Sequence, residues 1–287
     1  MNRINYLTLP YAGRWSTLLS IFLLASTAVA QNEIQQQFEK KMDLPNTGDI
    51  GLEVLRMAES FLGVPYMAQT LETNKTERLV CKLDGLDCTT LVESTIALVV
   101  AKEQNKSLDD YKRELRNLRY RKGVIEGYAS RLHYVLDWLY ENENRGRLED
   151  ITERLGGVPF KKEINFMSNH ANLYPALAPS EVWKKVKSQE AIINTRKHYY
   201  IPKNDIKRAE ASLKNGDIVA FTSTIDGLDC NHMGLITKIG NRAYLLHASS
   251  TEKKVILSKV PLAEYTSSVP KHSGILVARL KEIIDNE

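Results

Sequence analysis

A chain of 287 residues, 43% of them apolar and with a formal net charge of +4, has room for one large domain or two modest ones. That composition excludes a disordered or repetitive chain, and the near balance of 39 Lys and Arg against 35 Asp and Glu argues against nucleic acid or another polyanion as partner. Three cysteines, Cys81, Cys88 and Cys230, leave at least one thiol unpaired.

The first thirty residues differ from the rest. Arg3 and Arg14 are their only charges, and an apolar run from about Leu18 to Val29 ends in Ala28-Val29-Ala30. This is the pattern of a secretory signal peptide over residues 1–30, and the run falls short of the ~20 residues that a membrane span needs. Its removal takes Lys and Arg from 39 to 37 against 35 acidic residues, so the net charge falls to +2. The expected mature chain is exported to the periplasm, without stable membrane insertion, and monomeric. An odd cysteine count in an exported protein points to a free thiol used as a nucleophile, with buried unpaired cysteine as the plain alternative.

Residues 31–48 form a polar, Gln-rich lead, and residues 49–287 read as a single domain with helical insertions. Ile50, Leu52, Leu55, Met57, Phe61 and Leu62 fall at spacings near one helical face, closed by Gly63. The run TTLVESTIALVVAKEQ, from Thr89 to Gln104, is apolar nearly all round, as in a buried helix, with Asp87 at the N-cap position. Two further helices are predicted from Ser107 and from Tyr128 through Arg145, and the stretch from Asp150 to Lys203 has no clear reading. After Gly216 the texture turns to short β-rich runs: DIVAFTS, HMGLITKI, AYLLHAS, KVILSKV and GILVARL. Helices first and strands last predict an α+β fold, a helical layer packed on an antiparallel sheet.

The pentapeptide Asp-Gly-Leu-Asp-Cys occurs twice, from Asp84 and from Asp226. Cys88 closes the first copy at the start of the buried helix, where free N–H groups and the helix dipole favour a thiolate. Cys230 closes the second at the start of a strand, without that field. A thiol nucleophile needs a base and the base an orienting partner. His232 and His247 suit those roles: a hairpin turning at Gly240-Asn241 pairs residues whose numbers sum to about 480, which sets 232 near 247. His133, His170, His198 and His272, taken singly, read as surface or satisfied core histidines. A zinc site of Cys88, Cys230, His232 and His247 lacks the close ligand pairs such sites use, so no metal or other cofactor is expected.

Taken together, PYMAQTLE, LDCTTLVE, the Arg131-x-His133-Tyr134-x-x-x-Asp137-Trp138 stretch and LLHASS resemble the DUF1460, N-acetylmuramoyl-L-alanine amidase-like branch of the NlpC/P60 papain-like superfamily, from about Gly51 to Leu280. The resemblance implies a papain-like core with the nucleophile at a helix N-terminus. It implies Cys88 as nucleophile, His232 as general base and then acid, and His247 as the residue orienting His232. Tyr66 is its candidate second oxyanion donor, although Tyr66-Met67-Ala68-Gln69-Thr70 departs from the superfamily's Tyr-x-x-Gly-Gly turn. The implied substrate is a muropeptide, in its 1,6-anhydro form, cut between N-acetylmuramic acid and L-alanine in wall turnover or recycling. Arg131 becomes a candidate binder of a muropeptide carboxylate, with His133 and Asp137, four apart on the predicted helix, and Glu72 beside it; Glu93 is a further site-carboxylate candidate or part of the cap. Two other readings stand next to this one: a γ-D-glutamyl-diamino-acid endopeptidase, and a catalytically silent muropeptide-binding protein.

Overall fold

A computed structural model describes residues 32–74, 76–105 and 107–282; the expected signal peptide lies outside the described residues. Residues 32–42, within the polar lead, are helical (α1) and pack on the helices that follow: Phe38 is buried against Tyr111, ring centroids 5.9 Å apart, and the Lys41 ammonium lies over the Phe61 ring. Helix α2 (Ile50–Glu59) opens on Asp49, whose carboxylate accepts from Leu52 N–H. Helix α3 (Cys88–Glu103) is buried from Thr90 through Lys102, as its all-round apolar sequence requires. Asp87 and Thr90 form a reciprocal capping box at its start. Helix α4 (Leu108–Arg119) has the same device in Ser107 and Asp110.

The helix predicted from Tyr128 is two pieces. A 3-10 turn at Tyr128–Ser130 is followed by extended chain, and α5 spans Val135–Asn144. Its N-terminus has no local side-chain cap; Asp229, from the second pentapeptide, accepts from Leu136 N–H at 2.9 Å. The stretch left open in the sequence supplies β1 (Leu148–Asp150), β2 (Val158–Pro159), α6 (Phe166–Asn169), α7 (Ser180–Asn194) and β3 (Tyr199–Pro202), and α8 (Ile206–Ala209) follows.

The predicted strands are β4 (Ile218–Ser223), β5 (Cys230–Ile239), β6 (Arg242–Ser249), β7 (Lys254–Leu257) and β8 (His272–Leu280), with α9 (Leu262–Ser268) before the last. They form one antiparallel sheet in the order β2-β3-β8-β4-β5-β6-β7, with β1 also on β8. The sheet is covered on both faces. Ala220, Met233, Leu235, Leu246 and Leu276 pack toward the long helices, whereas Val219, Phe221, Ile236, Leu245 and Val277 pack with residues of α8 and α9. The period-2 alternation of β4 and β8 therefore sorts residues between two cores rather than between core and water. Among the described residues no helix is long and apolar enough to cross a membrane.

Candidate functional site

The hairpin of β5 and β6 pairs Leu235 with Leu246 and Ile239 with Arg242, a register sum of 481. That places the imidazoles of His232 and His247 in contact, His232 Nε2 to His247 Nδ1 at 2.7 Å, with the rings near perpendicular. Gly234 makes room for this: a Cβ there would lie 2.6 Å from Leu246 O and 3.0 Å from His247 Cβ. Phe221, directly opposite His232 on β4, stacks between His232 (5.6 Å) and His272 (4.5 Å).

A bulge between Phe221 and Thr222 leaves Asn231 unpaired: His232 faces Phe221, yet Cys230 faces Thr222. Cys230 therefore turns into the helical core, although Cys-x-His in a regular strand would share one face. It is buried, and burial pushes its thiol well up. All three cysteines are free, and among the described residues no group of His, Cys, Asp and Glu is placed to hold a metal ion.

Cys88 is the first residue of α3 and is partly exposed. Its thiol meets the β5 backbone at Met233, one residue past His232. Burial and then the Asp87 carboxylate push this thiol up to about 11, over the opposing hydrogen bonds from the Met233 backbone and from the Thr89 side chain and backbone. The expectation of a low-pKa thiolate meets an opposing environment: burial first, and then the Asp87 charge that the helix cap sets beside the sulfur, both favour the neutral thiol. His232 is held well below its usual range by burial and then by His247 and His272, while burial takes His247 down to about 4. At rest the site pairs a neutral thiol with neutral imidazoles.

Tyr66 is held between two segments, bridging to Leu86 and donating its backbone N–H to Lys253 O at 2.8 Å. Burial, then Cys88 and Asp87, raise its hydroxyl, which places it in the electrostatic reach of the thiol.

The other predicted binding residues are gathered elsewhere. Arg131 is buried, and its guanidinium donates to both Glu77 oxygens (3.0 and 2.7 Å), to Glu72 and to Leu71 O. It anchors the segment after Tyr66, with four of its five N–H donors given to that segment and one Nη1–H left over. Asp137 is buried between Arg121 (2.7 Å) and Arg196 (2.8 Å). His133 lies before α5, not on it; its Nε2 contacts Tyr128 O at 2.9 Å, and burial, followed by Arg131, takes it down to about 3. Arg131, His133 and Asp137 line a void of about 10 Å³, room for a single water. Glu93 is an ion-pair partner of Arg119 at 2.7 Å, with both side chains buried. Glu72 alone keeps a half-exposed carboxylate, near the hydroxyls of Tyr128 and Tyr174, which burial raises first and the Glu72 charge raises further. A cleft of about 1020 Å³ lies between the α2 start and the far ends of β5 and β8 and holds none of these residues.

Sequence reasoning missed Phe221, Tyr265 and His272, which wall the imidazole pair. Each is unremarkable in its own segment, and only the pairing of β4 with β5 and β8 brings two of them together.

A sequence model of the N-acetylmuramoyl-L-alanine amidase-like family matches residues 56–275. No curated protein matches. Among solved structures, an N-acetylmuramoyl-L-alanine amidase from Bacteroides uniformis is 39% identical, covering 81% of this chain and 99% of its own, with a TM-score of 0.77. A Bacteroides fragilis structure named as a putative xylanase is 36% identical over 79% of this chain and 100% of its own, with a TM-score of 0.75. A Legionella pneumophila protein of DUF1460, 21% identical over 90% of this chain and 97% of its own, shares the fold with a TM-score of 0.67.

Proposed function

The chain belongs to the N-acetylmuramoyl-L-alanine amidase-like family, and from that premise we propose that it is a cysteine amidase of the NlpC/P60, papain-like type. It hydrolyses the amide between N-acetylmuramic acid, in its 1,6-anhydro form, and L-alanine in peptidoglycan fragments. In this reading it is exported to the periplasm as a monomer and works in wall turnover or recycling. The observation that carries the mechanism is the His232–His247 contact at 2.7 Å, one residue from the backbone that meets the Cys88 thiol.

Because Nε2 of His232 is committed to His247, Nδ1 is the nitrogen free to accept a proton. His232 then carries its hydrogen on Nε2 and donates it to His247 Nδ1, which puts the His247 hydrogen on Nε2. His232 Nδ1 takes the thiol proton as sulfur adds to the lactyl carbonyl carbon, so charge separates only in the transition state. The oxyanion is met by the unpaired Cys88 backbone N–H, with Tyr66 as second donor. His232 returns the proton to the L-alanine nitrogen, the peptide leaves as an amine, and water, deprotonated by His232, releases the lactyl carboxylate from the thioester. Glu72 is the substrate-facing carboxylate, and Arg131, His133 and Asp137 shape the wall behind it.

Glycoside hydrolysis, the chemistry in the xylanase name, needs two available carboxylates across the bond. Asp87 is spent on the α3 cap and Glu93 on Arg119, so neither is a free carboxylate for that chemistry.

The test is incubation of the protein and of Cys88→Ala with anhydro-muramyl tetrapeptide, with products read by mass spectrometry. Free tetrapeptide plus sugar, absent with the variant, is the expected result. A dipeptide left on the sugar would move the cut to the γ-D-glutamyl bond, and an untouched substrate would leave a binding protein. Secretion of the chain without residues 1–30, read by N-terminal sequencing of a periplasmic fraction, tests export.

A further inference from the structure

On the imidazole side of the thiol stands a polar atom with nothing to bind. Tyr265 lies on α9, which packs against β6 and β8. Its ring is edge-on to His247, with centroids 5.2 Å apart at 71°, and stands 6.4 Å from His232 and 5.5 Å from Phe221. Tyr120 and Tyr134 donate their hydroxyls to Glu77 and Glu190 at 2.6 Å each. The Tyr265 hydroxyl has no hydrogen-bond partner among the described residues and is not sealed from solvent. Burial and then the Cys88 thiol raise it to about 12, so the phenol keeps its proton as a donor, within the electrostatic influence of the thiol.

The two halves of an amide part in different directions at such a centre. The acyl half stays on sulfur with its oxyanion toward the α3 start and Tyr66. The amine half must pass the imidazole, because His232 hands it a proton. The wall it passes is His232, His247 and Tyr265; the His247 Nε2–H has no partner either but is buried away from solvent, which leaves the Tyr265 hydroxyl as the donor open to that half.

We propose that Tyr265 is a further substrate-binding residue of the reaction centre, its hydroxyl donating a hydrogen bond to the first carbonyl of the departing, amine-bearing half. This rests on the amidase reading, in which that carbonyl belongs to the L-alanine whose nitrogen is released. The fit is chemical: an α-amino acyl residue carries an acceptor one carbon beyond the nitrogen that His232 protonates.

Tyr265→Phe keeps the ring and removes the donor. Its kcat/KM is compared with wild type on two substrates: the amide that wild type cleaves, and a p-nitrophenyl ester of the same acyl group. With the ester, sulfur adds to the same carbonyl carbon, but p-nitrophenolate leaves and carries no such acceptor. A loss of about 5- to 20-fold on the amide, with less than a 2-fold change on the ester, is expected for one hydrogen bond to the leaving half. Equal losses on both substrates would put the hydroxyl on the acyl or thiol side, and no loss on either would reduce it to packing; each overturns the proposal. The wild-type products are a separate reading: a cut at the γ-glutamyl bond defeats the amidase assignment, while the variant-to-wild-type ratio on that amide still decides Tyr265.

Discussion

The two Asp-Gly-Leu-Asp-Cys segments share every letter and use them for different ends. In the first, Asp87 caps the helix that follows it, accepting from Thr90 N–H at 2.8 Å, and Leu86 exchanges backbone hydrogen bonds with the Pro65–Met67 segment that carries Tyr66. In the second, Asp229 caps a helix 93 residues earlier in the chain, and Gly227, at φ +74°, accepts from the N–H groups of Asn165 and Phe166 with its carbonyl. Both aspartates are helix caps, one local and one remote. The first segment brings the Cys88 thiol to the β5 backbone beside His232, and the second gathers α5, α6 and β5 into one place. A short motif therefore fixes what its side chains are able to bind, and the chain that follows decides what they do bind.

The widest separation between the two should be in catalysis. Cys88→Ala should lower kcat/KM by at least about 1000-fold, since no other group forms the acyl-enzyme. Cys230→Ala, which empties a small part of the helical core, should stay within a few-fold of wild type in activity and cost about 1 kcal/mol in stability. Steady-state assays and urea unfolding of both variants check this, and an inactive, fully folded Cys230 variant would erase the distinction.

Stability should separate the caps in the opposite sense. Asp87→Ala removes one partly buried local cap, worth about 1 kcal/mol. Asp229→Ala strips a buried acceptor from the N–H groups of Leu136 and Cys230, and should cost about 2–3 kcal/mol by denaturant unfolding. Equal costs would mean that the remote cap is replaced by water.

These contrasts mark how far the sequence could be read. The α3 helix, the last five strands and the contact of His232 with His247 follow from local periodicity and one turn, because each rests on residues close in the chain. The break before α5 does not, since its cap comes from Asp229, and the loss of Arg131 to Glu72 and Glu77 depends on partners more than fifty residues away. The bulge at Asn231 is likewise invisible, being a property of pairing with β4 rather than of β5. Helical spacing placed His133 and Asp137 on one face; a tertiary cap removed the helix from under His133.

A smaller contrast lies in the pH dependence of stability. Burial raises Asp229 to about 6 in the folded protein, above its usual value near 3.8, so folding favours its protonated form. Its contribution is therefore best below about pH 4 and declines as pH rises to about 6. The buried neutral histidines His247 and His272, held near 4, act oppositely and lose stability as pH falls from about 6.5 to 4. The stability difference between wild type and Asp229→Asn isolates the carboxyl: wild type should lose ground to the variant between pH 4 and 6, and a flat difference would refute the assignment.

The smallest effect concerns the thiol itself. Asp87 holds α3 in place with the same carboxylate that opposes ionisation of Cys88, so the capped helix start is bought with a reluctant nucleophile. Asp87→Asn keeps an oxygen for Thr90 N–H, since asparagine caps about as well as aspartate, but removes the charge. The midpoint of Cys88 alkylation by iodoacetamide, expected near 11 in wild type, should move down in the variant, while stability changes by less than about 0.5 kcal/mol. An unchanged midpoint would mean that burial alone sets the thiol. A midpoint already below neutral pH in wild type would show a preformed thiolate–imidazolium pair, and the proton transfer to His232 would then precede substrate binding instead of accompanying attack.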